Sequence, residues 1–160
     1  MKLTAATFAS LVVLAACASS PARTTSPAPQ PAVASGGGTG AADARSAVLA
    51  FLDAGKNGDL QALATVWGSS AGSVRDAGTI PRDEMEKREL VMLCYLGHDS
   101  HQIVSEAQAA NNERVIAASL RRGPLTRTTN FYAVAGPNGR WYVRQFDMEA
   151  LTDLCKSKGR

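Results

Sequence analysis

Residues 101–146 read HQIVSEAQAANNERVIAASLRRGPLTRTTNFYAVAGPNGRWYVRQF, and this stretch decides the fold. It holds four runs, His101 to Ala109, Arg114 to Arg122, Thr126 to Ala135 and Arg140 to Phe146. Between them stand Asn111-Asn112, Gly123-Pro124 and Gly136-Pro137-Asn138-Gly139. Short connections of Asn, Gly and Pro suit the sharp turns of hairpins, so the runs predict a four-stranded antiparallel meander. Side chains alternate along a strand, so pairing through these turns assigns two faces. One face gathers Ile116, Ala118, Leu120, Phe131, Ala133 and Phe146, together with His101, Ile103, Ser105, Ala107, Thr129, Tyr142 and Arg144. This set has the larger apolar groups and is placed against helices. The opposite face gathers the rest, with Tyr132, Val134 and Trp141 as an apolar patch that offers a contact for a second copy of the chain. A slip of one residue would invert the assignment.

Upstream the rhythm is helical. Ala44, Ala47, Val48, Phe51 and Leu52 recur at the spacing of one helix face, with Asp43 as N-cap and Gly55 as the expected stop. After Lys56-Asn57-Gly58, Asp59 caps a second helix carrying Leu60, Leu63, Val66 and Trp67. Gly68 to Thr79 is looser and holds a turn or short strand. Pro81 opens a third helix with Met85, Met92, Leu93 and Leu96 on its apolar face, and Gly97 ends it. Downstream of the strands, Asp147 is read as the N-cap of a last turn carrying Met148, Leu151 and Leu154.

A helical hairpin with the linker Ala54-Gly55-Lys56-Asn57-Gly58-Asp59, a third helix, and strands ending in Asn138-Gly139-Arg140-Trp141-Tyr142-Val143 together resemble the nuclear transport factor 2-like superfamily. The resemblance covers Ala44 to about Phe146. It implies an α+β cone, a curved sheet wrapped around helices with a pocket inside. That superfamily holds isomerases, dehydratases, polyketide cyclases, transport adaptors and exported domains, so the fold leaves the activity open.

The N-terminus reads as an address. Lys2 begins a short signal whose apolar run ends in Leu11-Val12-Val13-Leu14, too short to span a bilayer. Leu14-Ala15-Ala16-Cys17 resembles the lipobox of bacterial lipoproteins, which implies acylation of Cys17 as the new first residue. The alternatives are an ordinary thiol and a simple small-x-small cleavage site that releases a soluble chain. Two or more acyl chains anchor stably where one does not. Ala18 after the cysteine implies, in a two-membrane cell, the outer membrane with the domain facing the periplasm. The chain therefore divides into a signal peptide (1–16), an acylated cysteine with a Pro/Gly/Ser/Ala tether (17–42), and a domain (43–160). The tether carries one charge, Arg23, and lacks apolar periodicity.

Composition excludes several classes. Apolar residues at 45% and charged residues at 19% exclude a chain that is disordered throughout. The formal charge of +3 shrinks on dissection, since 15 basic and 14 acidic residues remain from Asp43 onward. That balance gives no basis for a nucleic-acid partner, which needs a clustered positive face.

Outside the cytoplasm the pair Cys94 and Cys155 favours a disulfide, with two buried thiols as the alternative. His98-Asp99-Ser100-His101 invites a metal. Strand geometry sends positions three apart to opposite faces, and no third ligand follows at a useful spacing. No metal and no cofactor is assigned, and a loop histidine beside a rim histidine is expected. Arg144 on the inward face, with Tyr142 and His101 near it and Asp53 of the first helix as partner, makes a candidate ligand pocket. The other reading makes Arg144 a solvated strand residue. No residue is singled out as catalytic. The sequence thus predicts a lipid-anchored envelope protein whose domain binds a partner protein or small ligand. The alternative is an enzyme of the isomerase, dehydratase or hydrolase kind.

Overall fold

The computed structural model describes residues 38–157, and the signal peptide, Cys17 and most of the tether lie outside the described residues. Helices come first and a four-stranded antiparallel sheet follows, an α+β arrangement. Helix α1 spans Ala44–Asn57, and Asp43 caps it by accepting from the Ser46 backbone N–H at 2.7 Å and its hydroxyl at 2.8 Å. Its buried stripe is the predicted one, Ala44, Ala47, Val48, Phe51 and Leu52. The helix does not stop at Gly55. It runs three residues past the expected bound of Ala54 to Asn57, and Gly58, at φ 67°, supplies the left-handed cap. Gly55 serves packing instead, because a Cβ there would lie 2.5 Å from the Leu96 Cβ. Helix α2, Leu60–Val66, begins at Asp59, whose carboxylate accepts from the Ala62 N–H at 2.9 Å.

The looser stretch folds as a small ribbon, β1 (Gly68–Ser69) with β2 (Gly72–Ser73), and a short helix α3, Val74–Ala77. Helix α4, Arg82–Leu96, follows Pro81 and buries Glu89, Met92 and Leu96, while Met85 and Leu93 are only half-buried. Cys94 on α4 and Cys155 stand at disulfide distance, with Cα atoms 4.8 Å apart.

The sheet consists of β3 (Ser100–Gln108), β4 (Arg114–Arg122), β5 (Leu125–Ala135) and β6 (Trp141–Phe146), in the order β3-β4-β5-β6. The predicted meander is therefore present, and Ile116, Ala118, Leu120, Thr129, Phe131 and Ala133 are buried on its core face. Two bulges overturn parts of the face assignment. Val104 is an extra residue in β3, between the pairs Ile103–Ala118 and Ser105–Ala117. Arg144 is an extra residue in β6, between Tyr132–Gln145 and Ala133–Val143. An inserted residue inverts every side chain on one side of it. Hence Ser105 and Ala107 leave the core face, Trp141 and Val143 join it, and Tyr142 pairs with Val134 on the opposite face. Trp141, Tyr132 and Val134 therefore do not form one exposed patch, and Val134 is buried.

The free edge of β6 is covered. Ala41 bridges Trp141 through two backbone hydrogen bonds of 2.9 Å, and Trp67 bridges Val143. Thr39 to Ala41, assigned to the tether from sequence, are held on the domain. The Gly40 N–H donates to the Thr65 carbonyl at 2.7 Å, and the Arg140 guanidinium donates to the carbonyls of Thr39 and Gly40. Behind the sheet, α1 packs on β5 and β6, and Phe51, Phe131 and Phe146 fill the space with ring centroids 5.6–6.2 Å apart.

After β6 the chain makes a 3₁₀ turn, Met148–Leu151, and helix α5, Thr152–Lys156, burying Leu151 and Leu154. Asp147 holds the N-cap position of this turn, as expected, but its side chain makes no capping bond. Its carboxylate accepts instead from the Asn130 amide at 3.0 Å and the Tyr132 hydroxyl at 3.4 Å, tying the end of β6 to β5.

Candidate functional site

The four residues nominated for a pocket do not converge. Tyr142 is buried on the far face of the sheet, its ring beneath Gly40 and Gly136 and its hydroxyl 3.3 Å from the Thr39 carbonyl. Arg144, at the bulge, is exposed and ion-paired with Glu113 at 3.0 Å rather than with Asp53. Asp53 is exposed on α1. Only Asp53 and His101 share a neighbourhood, and there the surprise is His98.

His98 and His101 touch, a loop histidine beside one at the start of β3, although strand alternation alone would send positions three apart to opposite faces. His98 precedes the strand, so alternation does not apply to it. Its Nδ1–H donates to the carbonyl of Leu96 at 2.6 Å, one of the acceptors left open at the end of α4. That bond fixes the tautomer and leaves Nε2 as an acceptor, 2.9 Å from His101 Nδ1, which must then carry its proton. Burial holds both imidazoles below their ordinary pKa. The Lys56 ammonium adds to this, while the Asp53 carboxylate opposes it. The signal for it in the sequence was a histidine just beyond a helix end, where histidines bond the last carbonyls. Among the described residues no group of three or more His, Cys, Asp or Glu could hold a metal ion.

A different place has the shape of a binding site. Between α4 and the end of β6 lies a cleft of about 360 Å³. Trp67, Val91, Met92, Phe146 and Met148 supply its apolar surface, and Lys87, Arg88, Arg144 and Gln145 its polar groups. The elements explain the convergence. Val91 and Met92 come from consecutive positions of α4, Lys87 and Arg88 from the turn before, and Met148 from the 3₁₀ turn that folds back after β6. The bulge turns Arg144 out of the sheet toward this side, so the arginine singled out from sequence belongs to a site, though not to the inward pocket expected for it. Val91 and Met148 are 53% and 42% exposed, large apolar side chains left in water. The period of α4 could have revealed Val91, which with Leu90 falls outside the stripe that Met92 and Leu96 define.

Glu89 was missed altogether. Its side chain is buried, its Oε1 has no hydrogen-bond partner, and burial, with Glu86 nearby, pushes its pKa up to about 7. It stands on α4 between Arg88 and Met92 but is not itself part of the cleft surface. A charged residue inside the i, i+3, i+7 row of a helix (Glu89, Met92, Leu96) was the available signal.

Comparison with known proteins finds no matching family model, no similar curated protein and no similar solved structure. Function is therefore argued from the geometry of this chain.

Proposed function

We propose that this chain is a lipid-anchored cell-envelope protein whose domain binds a ligand or partner without catalysis, through the cleft between α4 and the end of β6. The observation that carries the reading is the cleft itself, a concave apolar surface with a few polar groups at its margin. Its nine side chains include no carboxylate, imidazole or thiol, so the surface is suited to packing and charge pairing rather than to proton transfer. Leu14-Ala15-Ala16-Cys17 supports the anchor, and the order of helices before a four-stranded antiparallel sheet supports a nuclear transport factor 2-like domain. The filled space around Phe51, Phe131 and Phe146 moves the binding surface from the inside of such a cone to its flank.

Two experiments test this. Cys17→Ala should move the protein from the membrane to the soluble envelope fraction, and a variant that still fractionates with membranes refutes the anchor. The neutral apolar dye Nile red should gain fluorescence on binding the full chain. Val91→Asp and Met148→Asp, both at exposed positions, should weaken that binding at least tenfold. Unchanged binding in both variants refutes the site.

One observation favours an enzyme instead, the buried and unpaired Glu89 carboxyl with a pKa near neutrality. Catalysis would require Glu89 to reach a molecule in the cleft. A binding module keeps its affinity in Glu89→Gln, whereas an enzyme loses turnover there while still binding.

A further inference from the structure

Resting on the reading of the cleft as a binding site, we propose that its occupant is a single-chain anionic amphiphile: an alkyl chain on the apolar surface with a carboxylate or similar anion held by Lys87, Arg88 and Arg144. The argument begins with charge. From Asp43 onward basic and acidic residues are nearly balanced, 15 against 14, yet every charged side chain on the cleft surface is a cation. The acids that pair with these cations, Asp83, Glu84 and Glu113, stand outside the cleft surface.

Those pairs do not consume the cations. Lys87 meets Asp83 at 3.4 Å, a loose contact between side chains 70% and 74% exposed. Arg88 gives only its Nε–H to Glu84, at 2.9 Å, and both of its terminal amino groups have no partner among the described residues. Arg144 bonds Glu113 and Gln145 from the flank of the bulge. Exposed pairs of this kind contribute about 0–1 kcal/mol each, so an arriving anion can share or displace them. Arginine presents several donors in a planar fork that matches a carboxylate, which makes Arg88 the natural head-group contact.

The apolar half fits a chain better than a rigid ring system. Methionine side chains bend to follow a flexible guest, and Met92 and Met148 stand on the α4 side and the 3₁₀-turn side of the cleft. A volume of about 360 Å³ falls in the range of small-molecule sites. The occupant is therefore a dispersed monomer rather than the face of a bilayer or another protein.

The test compares decanoate, decanol and decyltrimethylammonium, each below its micelle concentration, by calorimetric titration of the full chain at pH 7.5. Decanoate should bind at least tenfold more tightly than decanol, and decyltrimethylammonium more weakly than either. The double variant Arg88→Gln, Arg144→Gln should bring decanoate within about twofold of decanol. Equal binding of decanoate and decanol, or no response to the double variant, overturns the proposal and leaves the cleft as an apolar site. Failure of all three ligands where Nile red still binds also overturns it alone, whereas failure of Nile red and all three overturns the reading beneath it as well. Phosphatidylglycerol vesicles that sediment the Cys17→Ala chain without competition from decanoate would assign the cations to a membrane surface and refute a monomeric ligand.

Discussion

Nε2 of His98 lies 2.9 Å from Nδ1 of His101, and the proton between them belongs to His101 because His98 spends its own N–H on the Leu96 carbonyl. The link therefore joins the end of α4 to the start of β3 through two neutral rings. Protonating His98 at Nε2 would remove the acceptor and set two N–H groups against each other.

Acid should weaken the fold through this pair. Both histidines have folded pKa values below the ordinary 6.5, chiefly from burial, so the unfolded chain binds protons first as pH falls. The stability they hold is complete above pH 6.5 and is lost below it, toward their folded values. Urea unfolding of native protein and of His98→Ala at pH 7.5 and 5.0 isolates that loss, because Glu89 titrates alike in both, and the variant should lose less, or gain more, on going to pH 5.0. The variant should also cost about 1–3 kcal/mol at pH 7.5, because the Leu96 carbonyl loses its partner in a buried place. Parallel acid losses in native and variant protein would refute the assignment.

Glu89 acts with the opposite sign. Its folded pKa, about 7, lies above the free value of 4.5, so the native state holds a proton that the unfolded chain has already released. Stability is undiminished below pH 4.5 and falls as pH rises through 7, by up to about 3 kcal/mol over the whole interval. Glu89→Met should therefore raise the urea midpoint markedly at pH 8 and little at pH 5. A Glu89→Met gain of the same size at both pH values would show that the carboxyl is not titrating in the fold.

Gly55→Ala should destabilise despite the better helix propensity of alanine. Alanine gains about 1 kcal/mol inside a helix, but its Cβ would fall 2.5 Å from the Leu96 Cβ and force α1 and α4 apart. Such overpacking typically costs about 1–3 kcal/mol before that gain. The comparison is Gly58→Ala, where a Cβ meets open space and only the left-handed backbone at φ 67° resists it, for about 1–2 kcal/mol. Thermal unfolding should show a lower midpoint for Gly55→Ala than for native protein, and an increase would rule out the close approach.

Much of this architecture was legible because local rules agreed with one another. Asp43 and Asp59 sit where N-caps belong, and three turn sequences set the strand order before any packing was known. What escaped shares one cause: single-residue events with consequences elsewhere. The bulges at Val104 and Arg144 insert residues whose composition does not announce them, yet each inverts the faces of its strand beyond that point. Gly55 looked like a stop because a glycine needed for close packing carries the same letter as one needed for a turn. The cleft was invisible for a further reason. It joins one flank of α4 to residues after β6, and no periodicity within either element records what lies opposite.

The last expectation concerns Cys94 on α4 and Cys155 on α5, which stand at disulfide distance across 61 residues. If they are bonded, non-reducing mass analysis of the mature protein finds no alkylatable thiol at either position. A cross-link closing a loop of that length stabilises by about 4 kcal/mol in the chain-entropy picture, because the unfolded chain loses the freedom to separate its ends. Reduction, or the double variant Cys94→Ala, Cys155→Ala, should then lower the urea midpoint substantially. The loss should appear first around α5, a short helix whose buried contacts are Leu151 just before it and Leu154 within it. Hydrogen exchange can separate that outcome from general weakening. Amides of Thr152–Lys156 should lose protection in the reduced protein while those of β4 and β5 keep most of theirs. Two free thiols in protein isolated under oxidising conditions would remove the cross-link from the account and leave α5 held by packing alone.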